Sequence, residues 1–320
     1  MGGAPGGAGR TRPPGQLRGL EQHRHHRLRA DPRRHRGVLH RSGGSRVSEQ
    51  TSPLHGTAER LDAVHEWLAV VLDTSPRDGW LLCSEVDAGV IADWERRAAE
   101  SQVRYDGRSH PVAAASYALG WYADIASRIG GTCLLLDRRV PRLGRDALAF
   151  RCHPEDHYPD GVAFRDPRFW CLPDDPDADH PDATVVADVT ALGAILRAEV
   201  RAHADDFLSS YRPGARLPRR DLLGSFFDGL DVGFWQEDAD ADAVEASIAL
   251  AATVLPGATP EFADRSTLHR VDDDRGGVHL TRLRVSCCNY YRVSDIGEAC
   301  TTCPRTSAEE RRERLCAPAE

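Results

Sequence analysis

Four cysteines lie close together near the C-terminus, in the stretch RVSCCNYYRVSDIGEACTTCP at residues 284–304. Their spacing is C-C-x11-C-x2-C, formed by Cys287, Cys288, Cys300 and Cys303. Four thiolates so close in sequence can enclose one soft metal centre, and both iron–sulfur clusters and structural zinc use such sets. Structural zinc usually takes a second C-x2–4-C pair, whereas a two-iron cluster is wide enough to accept adjacent ligands. The spacing therefore favours an iron–sulfur cluster, with zinc and free or redox-active thiols as alternatives.

Aromatic and basic side chains surround the four cysteines. Tyr290 and Tyr291 can cover the sulfur atoms and restrict the access of solvent and oxygen, or they can simply pack in the core. Four arginines flank the set, namely Arg282, Arg284, Arg292 and Arg305. Because a cluster held by four thiolates is anionic, these arginines can stabilise it. They can equally contact a negatively charged ligand or partner, or form a solvated basic rim.

The cysteine motif resembles the C-terminal segment of the FhuF-like ferric iron reductases. In that family the pattern is C-C-x10-C-x2-C, often with an aromatic-aromatic-Arg step just after the paired cysteines. This chain has such a step, and its loop is one residue longer, which loops tolerate. Upstream, residues 112–119 (VAAASYAL) and 222–225 (LLGS) resemble helical segments of the family. The family often has Trp-Gly-Asn at the second place, where this chain has Leu223-Gly224-Ser225. The resemblance extends over residues 110–315.

The resemblance implies a cytoplasmic [2Fe–2S] protein that reduces iron(III) bound to a siderophore, with the four cysteines as cluster ligands through which electrons pass. We expect Arg282, Arg284 and Arg292 to contact the ferric siderophore. Electrons would come from a separate donor, a ferredoxin-like protein or a small reductant, because the sequence holds no Gly-rich flavin or nicotinamide loop. Two alternatives stay open: an iron–sulfur electron carrier that serves siderophore metabolism, and a zinc-stabilised binding protein.

The charge of the 320-residue chain is unevenly distributed. It carries 41 Lys and Arg against 49 Asp and Glu, a net charge of −8, although its first 46 residues hold eleven arginines. This Arg-rich start has almost no apolar periodicity and predicts disorder. We interpret residues 1–47 as a disordered extension or as an N-terminus assigned upstream of the true start, rather than as a basic tail for nucleic acid or membranes. The remaining chain is acidic, so nucleic acid is not an expected partner.

Membrane insertion is not expected from the hydropathy pattern. The longest uncharged apolar stretches, residues 111–123 and 246–260, fall short of the roughly 20 residues that a spanning helix needs. No secretory signal peptide opens the chain. We therefore expect a cytoplasmic protein, in which cysteines stay reduced and serve as thiols or metal ligands.

The hydrophobic periodicity predicts an α+β fold that is predominantly helical, with a small β-sheet and a C-terminal cysteine-rich segment. Helices are predicted at residues 57–72, 86–99, 111–128, 189–211, 220–235, 238–255 and 307–315. Gly130-Gly131 is expected to end the third of these helices. Alternating residues predict strands at 147–152 and 161–164 and a strand or hairpin arm at 276–286, and residues 172–182 read as a surface loop. We expect a mainly helical domain over residues 48–275 and a [2Fe–2S]-binding segment over residues 276–320.

Overall fold

The computed structural model describes residues 51–65, 67–73, 75, 78–236, 241–272, 277–294 and 297–317. The predicted N-terminal extension lies outside these ranges. Within them the chain forms seven α-helices: α1 (Leu54–Val64), α2 (Ala88–Asp106), α3 (Pro111–Asp137), α4 (Val189–Ser210), α5 (Arg219–Val232), α6 (Ala241–Val254) and α7 (Ala308–Cys316). Helices dominate, two small sheets and a hairpin accompany them, and the cysteines group near the C-terminus. The predicted α+β class is therefore confirmed.

The strands are short and form three separate groups. They are β1 (Ala69–Leu72), β2 (Leu81–Leu82), β3 (Val140–Pro141), β4 (Leu148–Cys152), β5 (Pro159–Phe164), β6 (Phe169–Cys171), β7 (Ala183–Val185), β8 (His269–Asp272) and β9 (Val278–Thr281). A four-stranded sheet has the order β1-β5-β4-β2, a three-stranded sheet the order β3-β6-β7, and β8 pairs with β9 as an antiparallel hairpin. The predicted strands at residues 147–152 and 161–164 are confirmed as β4 and β5, which pair antiparallel.

Helix α3 is the centre of the fold and is buried along most of its length. It begins at Pro111, whose missing N–H suits the first helical position. Its N-cap is His110, where the ring Nδ1 accepts a hydrogen bond from the backbone N–H of Val112 at 3.2 Å. Helices α1, α2, α4 and α5 all pack against it. The functional site described below is built around this helix and α5.

The prediction that this helix ends at Gly130-Gly131 is wrong, because it continues to Asp137. A Cβ atom on Gly131 would lie 2.8 Å from the carbonyl oxygen of Leu230, and one on Gly233 would lie 2.8 Å from the carbonyl oxygen of Arg128. These glycines therefore let the backbones of α3 and α5 approach closely. In this chain they mark a helix–helix contact and not a helix end.

The predicted helix at residues 57–72 is also wrong in its second half. Helix α1 ends at Val64, and Ala69–Leu72 forms β1, which pairs in parallel with residues 161–164 of β5. The β-branched Val70 and Val71 favour an extended backbone when a partner strand is available. Asp62 at the end of α1 fixes the entry to the strand by accepting a hydrogen bond from the Val70 N–H at 3.1 Å.

The C-terminal segment packs against the helical body. Arg108, which follows α2, donates hydrogen bonds to the carbonyl oxygens of Val293 (3.1 Å) and Ser294. Helix α7 begins at its N-cap Ser307, whose hydroxyl accepts from the Glu310 N–H. The predicted domain boundary after residue 275 falls between the paired strands β8 and β9, and the division remains a prediction. Among the described residues, no helix is both long and apolar enough to cross a membrane.

Candidate metal centre

The structure brings the four predicted cysteines together. The Sγ atoms of Cys287 and Cys303 lie 3.8 Å apart. Cys288, Cys300 and Cys303 form a small buried group, against which Cys287 packs. Cys287 is the most exposed of the four, whereas Cys288 is only 8% exposed. Sequence positions 287–303 therefore supply one compact set of sulfur atoms.

A sharp turn after the paired cysteines lets both of their sulfur atoms join this group. Asn289 adopts the left-handed conformation with φ = 57°, which asparagine tolerates better than most residues. Its backbone N–H points to the Cys287 Sγ at 3.4 Å. Its side-chain amide donates to the Cys287 carbonyl oxygen at 3.1 Å and to the Ser116 hydroxyl of α3 at 3.0 Å. The continued strand that would separate adjacent cysteines is thus replaced by a turn anchored to α3.

The buried carboxylate of Asp228 on α5 holds the other side of this turn. It accepts hydrogen bonds from the backbone N–H groups of Val285 (2.8 Å) and Ser286 (2.9 Å) and from the Ser286 hydroxyl (2.5 Å). Arg284 Nε lies 3.3 Å from the same carboxylate. Gly224, one turn earlier, gives the segment room, because a Cβ there would lie 3.0 Å from Val285 Cγ1. Helix α5 therefore fixes the residues immediately before Cys287.

The C-x2-C loop is fixed by backbone and arginine contacts. The Cys303 N–H donates to the Cys300 carbonyl oxygen at 3.0 Å, which closes a tight turn. Arg311 of α7, 5% exposed, donates to the carbonyl oxygens of Thr301 (2.8 Å) and Thr306 (3.0 Å). The backbone N–H of Arg284 donates to the Thr302 carbonyl oxygen at 2.9 Å, and this hydrogen bond joins the two halves of the motif.

The thiols strongly influence each other's protonation. The hydrogen bond between Cys287 and Cys303 lowers the pKa of Cys287 to about 7 and raises that of Cys303 to about 11. Arg305 also lowers the pKa of Cys287 by hydrogen bonding to its sulfur. A hydrogen bond to Cys300, together with burial, raises the pKa of Cys288 well above its usual value. Cys287 is thus readily available as a thiolate, the form that binds metals.

The separation of two of the sulfur atoms fits thiolate coordination of a metal. In a tetrahedral site with metal–sulfur bonds of about 2.3 Å, two thiolate sulfurs lie roughly 3.8 Å apart. The Cys287–Cys303 separation matches this spacing. Nevertheless, among the residues that the structure describes, no three His, Cys, Asp or Glu side chains converge closely enough to hold one ion.

The three arginines predicted to contact substrate occupy different positions. Arg282 is 2% exposed and donates to the carbonyl oxygen of Asp228 at 2.6 Å. Arg284 is half-buried beside Asp228. Arg292 is exposed, and its guanidinium carbon lies 5.3 Å from the centre of the Tyr291 ring. The guanidinium carbon of Arg305 lies 4.7 Å from the centre of the same ring.

A cavity of about 200 Å³, partly open to solvent, reaches the buried cysteine group. Its walls include Trp67, Tyr117, Trp121, Tyr158, Tyr290 and Cys288, together with Arg282 and Arg284. Sequence reasoning missed both this cavity and Asp228. The only sequence signal for Asp228 is its position as an acidic residue on the apolar face of a predicted helix. The hydrogen-bond partners of Asp228 lie more than 50 residues away in the sequence.

A comparison with protein families gives a match at the cysteine motif. Residues 284–305 match the model of the FhuF 2Fe–2S C-terminal domain. No curated protein and no solved structure matches the chain. The match confirms the predicted resemblance at the cysteine motif, and the domain indicates a [2Fe–2S] cluster as cofactor. It supports a siderophore-related iron–sulfur protein.

Proposed function

We propose that this chain is a ferric-siderophore reductase, an oxidoreductase that passes single electrons to chelated iron(III). The observation that carries the proposal is the position of Cys288. This residue belongs to the compact cysteine group and also lines the aromatic cavity, so a bound molecule would lie directly beside a cluster ligand. We assign Cys287, Cys288, Cys300 and Cys303 as the ligands.

The chemistry follows from the different preferences of the two iron oxidation states. When bound, a [2Fe–2S] cluster supplies one electron at a time. Each iron(III) that accepts one electron becomes iron(II), which hard oxygen chelators hold far less tightly. No bond to the protein forms and no general base is needed. Reduction therefore turns a nearly irreversible complex into one that releases its iron.

The protein residues position and shield this reaction. Asp228, Asn289 and Arg311 hold the two cysteine loops in place through backbone hydrogen bonds. Aromatic side chains line the cavity next to Cys288, so a molecule that fills it would displace water from beside this ligand. Exclusion of water limits side reactions at the site.

A separate donor must restore the electron after each turnover. Cys287 is the most exposed of the four cysteines, and Arg305 hydrogen bonds to its sulfur. Together with Arg292 and Tyr291 this arginine forms a basic surface that would suit an acidic, ferredoxin-like donor, or that a small reductant could reach. We also propose a cytoplasmic location and a domain boundary after residue 275.

The test begins with the full chain purified without oxygen. We expect a brown protein with a [2Fe–2S] EPR signal after reduction with dithionite. Removing excess dithionite and adding a ferric siderophore should reoxidise the protein and release iron(II), which a ferrous chelator traps and colours. One iron(II) should form for each electron stored.

Matched cysteine variants separate cluster ligands from a neighbouring thiol. Cys303→Ser should lose the EPR signal and turnover, whereas Cys316→Ser, outside the motif, should keep both. A stable cluster without turnover would overturn the reductase in favour of an electron carrier. A colourless protein with about one zinc, refractory to iron and sulfide, would instead identify a zinc-stabilised binding protein.

A further inference from the structure

Two exposed arginines contact the ring of Tyr291 beside the cysteine group. The guanidinium carbon of Arg305 lies 4.7 Å from the ring centre, and that of Arg292 lies 5.3 Å from it. Arg305 also hydrogen bonds to the sulfur atom of Cys287, the most exposed of the four cysteines. Positive charge at the protein surface therefore reaches directly to a cluster ligand. We call these two arginines the Arg292–Arg305 surface.

The charge of this surface is not neutralised by carboxylates of the described residues. Within that part of the chain, neither Arg292 nor Arg305 forms an ion pair with Asp or Glu; a nitrogen of Arg292 lies 3.4 Å from the ring Nε2 of His110 instead. By contrast, Arg284 lies 3.3 Å from the carboxylate of Asp228. Since the whole chain carries a net charge of −8, the surface is a local concentration of positive charge on an acidic protein. Such a patch attracts anions from solution.

The contact between Arg305 and Cys287 also affects how easily a cluster takes up an electron. The Cys287 sulfur accepts hydrogen bonds from Arg305 and from the backbone N–H of Asn289, the latter at 3.4 Å. Hydrogen bonds to the ligand sulfurs and the net charge around them help to set the potential of an iron–sulfur cluster. Because reduction adds negative charge, a cation at the sulfur stabilises the reduced form. Arg305 therefore favours reduction at the exposed side of the site.

The two adjacent cysteines border different surroundings. Cys288 is 8% exposed and lines the aromatic cavity. Cys287 does not belong to the cavity wall, and neither do the two arginines of the Arg292–Arg305 surface. One ligand thus borders a basic surface and its sequence neighbour borders the cavity. A cluster held between them has separate sides for a donor and an acceptor.

We propose that electrons enter at Cys287 from a negatively charged one-electron donor, and that Arg305 is the positioning residue that draws this donor to the Arg292–Arg305 surface. The inference rests on the proposed function, since it names the class of donor that serves that reaction. In each transfer the donor loses one electron and the cluster gains it, and no bond forms or breaks. Cys288 then faces the acceptor in the cavity.

The test uses two small reductants of opposite charge and no siderophore. Dithionite reduces through the sulfur dioxide radical anion, whereas reduced methyl viologen is a radical cation. Stopped-flow mixing without oxygen measures the rate at which each reduces the cluster-loaded full chain at low salt. The ratio of the anion rate to the cation rate reports the local charge, because a change in driving force affects both rates. A redox titration followed by EPR gives the midpoint potential separately.

Arg305→Leu should lower this rate ratio at least about fivefold at low salt. It should also lower the equilibrium constant for reduction about threefold, or about 28 mV at 59 mV per tenfold for one electron. Arg305→Lys keeps the charge and should stay within about twofold of the original ratio. Arg292→Leu should lower the ratio but hardly move the potential, because Arg292 contacts Tyr291 and His110 rather than a ligand sulfur. Arg168→Leu, the control at an exposed arginine paired with Asp166, should leave the ratio unchanged.

The outcomes keep this inference apart from the reductase proposal. An unchanged ratio in cluster-loaded Arg305→Leu, or an equal loss in Arg168→Leu, would overturn entry at the Arg292–Arg305 surface. If Arg305→Leu does not load its cluster, an unchanged ratio in Arg292→Leu overturns the inference instead. The expected ratios without reduction of ferric siderophores would support the entry surface and overturn the reductase. Siderophore reduction with unchanged ratios would support the reductase and overturn the entry surface.

Discussion

Replacing Asp228 by asparagine is expected to loosen the turn that carries Cys287 and Cys288. Asparagine has nearly the same shape, but one of its two terminal atoms is a donor. It therefore cannot accept all of the hydrogen bonds that the carboxylate receives from Val285, Ser286 and Arg284. The substitution removes charge and acceptors while it leaves the packing volume unchanged.

The magnitude follows from the number of contacts and their burial. Asp228 is 3% exposed, so water cannot replace the lost acceptors. Hydrogen bonds to charged groups contribute about 1.5–3 kcal/mol each, and breaking a buried ion pair costs about 3–5 kcal/mol. These losses overlap, so we expect about 3 kcal/mol of local stability to disappear. Such a change corresponds to roughly a 100-fold increase in opening of the turn.

Hydrogen exchange measures this opening directly. In the cluster-loaded protein, the amides of Val285 and Ser286 should exchange roughly 100-fold faster in Asp228→Asn, and cluster loss on exposure to air should accelerate. Asp221→Asn is the matched control on the same helix. Among the described residues, the Asp221 side chain accepts one hydrogen bond, a long 3.4 Å contact from the Cys287 N–H. Burial raises the pKa of Asp221, so its neutralisation should change little. Unchanged exchange at residues 285 and 286 in Asp228→Asn would refute the anchoring role.

Three further predictions concern the stability of the fold. Gly131→Ala should lower the free energy of unfolding by about 1–3 kcal/mol, because the added Cβ meets the backbone of α5. The control Gly56→Ala, on α1, should be neutral or stabilising. Chemical denaturation measures the free energy of unfolding of both variants. Burial lowers the pKa of His203 to about 4, so the folded protein resists its protonation. The contribution of His203 to stability should therefore fall by roughly 3 kcal/mol as the pH drops from 6.5 to 4. His203→Gln should flatten that pH dependence, and an unchanged slope would contradict the assignment. Asp175→Asn should cost about 1.5–3 kcal/mol in thermal or chemical unfolding, because it removes the two-point partner of the buried Arg139 and leaves Asp177 as its carboxylate. A change below about 0.5 kcal/mol would show the pair to be dispensable.

Sequence periodicity predicted most helices because their apolar faces and caps are local features. Helix α4 was expected at residues 189–211 and is found at Val189–Ser210, beginning at the N-cap Asp188. The strand β1 was missed because its backbone conformation depends on pairing with β5, about 90 residues later. The glycines of α3 were misread because only the approach of α5 shows why they lack side chains.

Of the candidate site, too, only some features could be predicted from the sequence. The four cysteines were identifiable as candidate ligands from their spacing, since metal binding restricts which residues can serve as ligands and how far apart they lie. Asp228 and the cavity were not identifiable, because burial and hydrogen-bond partners depend on segments distant in the chain. Of the three arginines expected to contact substrate, Arg282 and Arg284 line the cavity, whereas Arg292 lies beside Tyr291.

By itself the sequence determined the helical character of the chain and a four-cysteine motif as the candidate metal site, because periodicity, caps and cysteine spacing are local properties. Only the tertiary structure decided how the turn after Ser286 is held, and that Cys288 borders a cavity while Cys287 lies beside Arg305. Those features arise where α3, α5 and the C-terminal segment meet. Their energies come from burial and hydrogen bonds between residues distant in sequence, which no local pattern encodes.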